Sequence, residues 1–104
     1  MDTPVVLDAD LRTRIAALVQ AELEARRIAI SRELARIPPP VPACDVDFNR
    51  LLEDRGRVAD DLQQLHRLLH AGASAATIVA FCRESTSVGD AVKQKVEHLL
   101  GRRM

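Results

Sequence analysis

The sequence predicts an all-α protein: a long antiparallel helical hairpin followed by two short C-terminal helices. Three observations predict it. From Asp8 to Ile37 there is neither Gly nor Pro, and the stretch is rich in the strong helix formers Ala, Leu, Glu and Arg. From Phe48 to Leu69 apolar residues recur at alternating steps of three and four, the heptad period of a helix packed along one seam. Between them Pro38-Pro39-Pro40, then Val41 and Pro42, cannot continue a helix and favour a stiff, extended connector.

Taken in order, the first helix is expected over 8–37, with Asp8 or Asp10 as its cap and Leu11, Ile15, Val19, Leu23, Ile30, Leu34 and Ile37 as its apolar stripe. Arg26 fills the missing step of that stripe, and Glu22, four residues earlier, is placed to support it. Residues 38–44 form the proline turn. The second helix is expected over 45–71, capped by Asp45, with Asp47 in its first turn where the helix dipole favours an anion. Its seam is Phe48, Leu51, Arg55, Val58, Leu62, Leu65 and Leu69, flanked by Leu52 and Ala59. His70 and Gly72 are the chemistry of a helix end. Ser74 opens a third helix over 74–84 carrying Ile78, Val79, Phe81 and Cys82. A break at Ser85, Thr86 and Ser87 precedes a fourth helix over 87–100, where Ser87 and Asp90 resemble a capping box and Val88, Val92, Val96 and Leu99 form an apolar edge. The whole of 1–104 reads as one helical domain.

Pairing residues about the proline turn sets Leu34 against Phe48, Ile30 against Leu51 and Leu52, Leu23 against Val58, Val19 against Leu62, Ile15 against Leu65, and Leu11 against Leu69. The same register brings Arg26 level with Arg55. Two cations on an apolar seam must be answered, either by turning outward, Arg26 toward Glu22 and Arg55 toward Asp54 or a neighbour, or by accepting a carboxylate from a partner. Two helices alone bury one stripe each and are marginal in water. The C-terminal helices are therefore expected to fold over the hairpin base and a second copy to cover its upper part, giving a dimeric helical bundle. The proline tip lies about 37 Å from the base at 1.5 Å per residue, so Cys44 and Cys82 should not bridge within one chain.

Composition narrows the function. Fifteen Lys and Arg balance fifteen Asp and Glu, interspersed along 104 residues, so bulk charge attracts no polyanion. Phe48 and Phe81 are the only aromatic residues, too few for a base-stacking platform. The longest largely apolar stretch, Ala75 to Cys82 with Thr77 inside it, is too short to span a bilayer, and no signal-peptide pattern is expected at the N-terminus. A cytoplasmic protein with two reduced thiols is expected.

Constellations for chemistry are sparse, and Cys82, the candidate nucleophile, lies on an apolar helical edge where a thiol is more often inert packing than an activated thiolate. His66 and His70 share one helical face at the spacing of two metal ligands, with Cys82 or His98 as conceivable third ligands, but no H-E-x-x-H arrangement accompanies them. Two isolated imidazoles are more often surface groups, so no metal or other cofactor is assigned. Glu53, Asp54, Asp60 and Asp61 are the carboxylates of a solvated helix face, with nothing to single out an acid and a base, and no Gly-rich phosphate loop or G-x-S-x-G is present. No catalytic residue is assigned. Residues 74–100 resemble a degenerate helix-turn-helix with Lys93, Lys95, Arg102 and Arg103 as nearby cations, but Gly89 and Asp90 would lead its recognition helix toward phosphates with a carboxylate, which argues against nucleic acid. The expectation is a non-enzymatic interaction protein, adaptor or chaperone-like, forming a homodimer or receiving a partner protein's helix. Its association residues would be Val19, Leu23, Arg26, Ile30, Arg55, Val58, Leu62 and Leu65.

Overall fold

The computed structural model describes residues 4–36 and 46–101, with side chains over 10–36 and 48–101. The proline turn, Ile37, Cys44 and Asp45 lie outside the described residues. The described chain consists of four helices and no strand: α1 (Pro4–Arg36), α2 (Val46–His70), α3 (Ala75–Glu84) and α4 (Asp90–Gly101).

Helix α1 begins four residues before the expected start. Pro4 stands at its first position, where a residue without an N–H loses nothing and a φ fixed near −65° is already helical. Asp8 and Asp10 therefore lie inside the helix, and Asp10 instead pairs with Arg14 at 3.3 Å. Helix α2 ends in a Schellman motif: the Gly72 N–H donates to Leu69 O at 3.1 Å and the Ala73 N–H to Leu68 O at 2.9 Å. Closing that motif needs a left-handed residue, and Gly72 supplies it with φ of 75°. Ser74 caps α3 as expected, its hydroxyl accepting the Thr77 N–H at 3.3 Å.

The start of α4 differs from expectation. The helix opens at Asp90 after Gly89, and Ser87 is not its cap but a buried member of the preceding turn, its N–H donating to the Ser85 hydroxyl at 3.2 Å. The anion at this end comes from elsewhere: Glu22 of α1 accepts the Gly89 N–H at 3.0 Å. Glu22 therefore serves α4 and forms no ion pair with Arg26 among the described residues.

Packing is uneven along the length. On α1 the buried residues Leu11, Ile15, Ala16, Val19 and Leu23 crowd into the N-terminal two-thirds, leaving only Ile30 beyond them. On α2 they are Val58, Leu62 and Leu65, all in the C-terminal half. Helices α3 and α4 and the turn between them cover this region, α3 with Ala75, Ile78, Val79, Phe81 and Cys82, the turn with Val88 and α4 with Val96. Arg12 ties the same end together, donating from Nε to Ala73 O at 2.6 Å and from Nη2 to Leu69 O at 2.8 Å. The remainder of α1 and α2 extends past this core as an arm. The dimensions of 64 × 25 × 18 Å and the 16.8 Å radius of gyration reflect it, against about 13 Å for a compact domain of this size.

Candidate functional site

The arm comprises α1 from Glu24 onward and α2 before Val58. Its apolar residues are less well covered than those of the core: Ile28 is 43% exposed, and Leu34, Phe48, Leu51 and Leu52 are half-buried. Leu34 and Leu51 pack against the core cluster, whereas Leu52 and Ile28 do not belong to it. Seven arginines and four carboxylates decorate residues 24–36 and 48–57. All four carboxylates are engaged along their own helix: Glu24 with Arg27 at 3.1 Å, Glu33 with Arg36 at 3.6 Å, and Glu53 and Asp54 with Arg57 at 3.7 and 3.5 Å. Arg26, Arg32, Arg50 and Arg55 have no ion-pair partner among the described residues. The arm thus carries a surplus of positive charge beside incompletely covered apolar surface.

Of the eight expected association residues, Val19, Leu23, Ile30, Val58, Leu62 and Leu65 are buried within the single chain. Their side chains are taken up by the chain's own helices, because α3 and α4 supply the cover that periodicity alone could not allot. Arg26 and Arg55 are exposed. Asp54, expected as a partner for Arg55, is held by Arg57 instead, which lies three residues on and on the same side of α2.

Where the α3–α4 turn meets α1 and α2, polar groups converge. Ser85 is buried and donates its hydroxyl proton to Asp61 Oδ2 at 2.6 Å, anchoring the turn to α2, while Glu22 holds Gly89 from α1. A cavity of about 60 Å³ in this part of the molecule is lined by Arg26, Asp54, Arg57, Val58, Thr86 and Ser87. No motif announces this group, since its members come from three separate stretches of chain. A second, shallower groove runs between α1 and α4, lined by Leu18, Ala91, Gln94, Lys95, His98 and Leu99.

The alternative sites fare differently. His66 and His70 are both exposed, and the described residues contain no group of three or more His, Cys, Asp or Glu side chains able to hold a metal ion. Cys82 is buried, and burial pushes its thiol above the ordinary thiol range, away from the thiolate that a ligand or nucleophile requires. In the helix-turn-helix region, Lys93 donates to Arg83 O at 3.1 Å, and Arg83 forms a two-pronged bridge to Glu97 at 2.6 and 2.7 Å. Two of the cations there are thus committed within the chain, while Asp90 is exposed at the first turn of α4. No helix among the described residues is long and apolar enough to cross a membrane. Comparison with protein-family models, curated proteins and solved structures gave no match to this chain.

Proposed function

We propose that this protein is a non-enzymatic interaction module whose α1–α2 arm, an antiparallel helical hairpin, packs against helices of a second copy to form a bundle. One observation carries the proposal: the chain concentrates its core at one end and leaves the other as two helices on which, among the described residues, Ile30 alone is buried. A two-helix unit buries too little apolar surface to offset the entropy of ordering it. Association would complete the arm, with Ile28, Phe48 and Leu52 as contact residues and Arg26 and Arg55 at its polar edge.

Solution mass measured across a dilution series tests the proposal. The wild type should be dimeric at high concentration and dissociate on dilution. Leu52→Glu, which places a carboxylate on the contact surface, should shift the equilibrium toward monomer with helix content preserved. A wild type monomeric at every concentration would exclude self-association and leave a foreign helix as the occupant. A dimer indifferent to Leu52→Glu and Ile28→Glu would move the interface off the arm.

A further inference from the structure

We propose that α2 hinges at Gly56: its arm segment, from Val46 to Arg55, opens from α1 as one unit while the core end of the molecule stays folded. The opening belongs to the single chain and does not require self-association. Of the chain's four glycines, Gly72 and Gly89 lie between helices and Gly101 at the last position of α4, which leaves Gly56 alone in a helix interior. Backbone conformation does not call for glycine there, since among the described residues positive φ occurs only at Gly72. Nor does packing: a Cβ at Gly56 would meet nothing within 4 Å, whereas one at Gly89 would press on Glu22. Glycine in a helix interior holds the helix less firmly than alanine, because it gains more chain freedom on release. At Gly56 that loss has no return in packing or geometry.

Position gives this softness its effect. Gly56 stands two residues before Val58, the first buried side chain of α2 among the described residues, and Arg55, Gly56 and Arg57 are all exposed. On the arm side, residues 48–57 contain no buried side chain, and α1 offers only Ile30 beyond Leu23. On the core side, Val58, Leu62 and Leu65 belong to the core cluster, and Asp61 accepts the Ser85 hydroxyl at 2.6 Å. The ion pairs that bridge Gly56, Arg57 with Glu53 at 3.7 Å and with Asp54 at 3.5 Å, are exposed and contribute little. Helix α1 contains no glycine, so it runs on unbroken and α2 supplies the joint. Segments that bury few apolar contacts are the ones that open below the free energy of global unfolding, and here the softest backbone coincides with the boundary of such a segment.

Hydrogen exchange of individual amides in the full chain tests the hinge, at falling protein concentration and with solution mass recorded on the same samples, so that protection conferred by association is told apart. The amides of residues 50–55, bonded within the arm, should exchange through an opening that is less costly and less dependent on urea than the one reached by Leu62 and Leu65. Gly56→Ala should slow all the arm amides alike, by about two- to fivefold, the Gly-to-Ala difference in a helix. Ala59→Gly, at an exposed position on the core side, should speed exchange at Leu62 and Leu65 and leave the arm amides unchanged, because residue 59 stays helical when the arm opens. A single opening shared by arm and core, with Ala59→Gly speeding both, would overturn the hinge in favour of all-or-none unfolding. Protection that rises gradually from the start of α2, with Gly56→Ala felt only beside residue 56, would overturn it as well and reduce the opening to fraying of a helix end.

Discussion

Glu22, in the middle of α1, accepts the backbone N–H of Gly89 at 3.0 Å, joining positions 67 residues apart. In a capping box the acidic side chain that reaches the cap residue's N–H belongs to the same helix. Here α4 has Val92 at that position, and the carboxylate arrives from α1 instead. The fit is close: a Cβ at Gly89 would stand 3.0 Å from Glu22 Oε2, so the carboxylate would have to give by a few tenths of an ångström.

A double-mutant cycle checks this coupling. Glu22→Ala should cost about 1 kcal/mol, the usual cost of losing a side-chain cap at a partly buried helix N-terminus. Gly89→Ala should destabilise slightly, because the carboxylate must shift by a few tenths of an ångström against its donor. With Glu22 removed, the nearest remaining side-chain atom to the new methyl is Arg26 Nη2 at 4.0 Å, an ordinary contact. The double variant should then be more stable than the sum of the singles predicts, by about 0.5 kcal/mol or more in urea unfolding. Strict additivity would mean that the contact carries no energy.

Arg12 closes the other end. Its fork spans Leu69 O and Ala73 O, carbonyls at the negative end of α2, and Arg12→Ala should cost about 1–3 kcal/mol. Arg12→Lys keeps the charge but loses the two-pronged geometry, so it should recover only part of the loss. Thermal unfolding that ranks Lys equal to Arg would reduce the interaction to simple charge.

Cys82 should resist modification in the folded protein. Its thiol is 1% exposed and is raised first by burial, with Glu97 and Glu22 adding to the shift against the lowering effect of Lys93 and Arg83. In a Cys44→Ser background, reaction with a thiol reagent at neutral pH should be slow and should accelerate steeply on adding denaturant. Rapid labelling of the native state would contradict the packing of α3.

The Arg83–Glu97 bridge sets an acid-side dependence. Hydrogen bonding from Arg83 lowers the Glu97 carboxyl below its ordinary value near 4.5, so the bridge contributes fully above that value and is lost as pH falls through the lowered one. The two side chains are exposed and screened, so the effect is small. The difference in melting midpoint between wild type and Glu97→Gln should narrow toward zero in acid and be constant at neutral pH. A difference that persists in strong acid would locate the effect of the substitution elsewhere.

Features legible in the sequence are those decided within a turn or two of chain. Ser74 as the α3 cap and Gly72 at the end of α2 follow from local backbone chemistry, and the helical period of the apolar residues marks which faces would be covered. Local reasoning erred where a distant group substituted for a local one. Ser87 and Asp90 suggest a cap that Glu22 makes unnecessary, and Glu22 reads as support for Arg26 because only neighbours three or four residues away are visible along a sequence. The start of α1 at Pro4 is illegible for a different reason: proline reads as a break unless its tolerance at a first helical position outweighs its exclusion from the interior.

By itself, then, the sequence determined an all-helical chain and the identity of its apolar stripes. Tertiary structure alone decided what meets those stripes: Val19, Leu23, Val58, Leu62 and Leu65 are equally suited to a partner's helix or to their own chain, and the docking of α3 and α4 settles them in the latter. The physical reason is that burial of apolar surface is non-directional. Periodicity specifies that a face is to be removed from water, whereas the identity of the covering element depends on contacts such as Arg12 with Ala73, Glu22 with Gly89 and Asp61 with Ser85, which exist only once distant parts of the chain have come together.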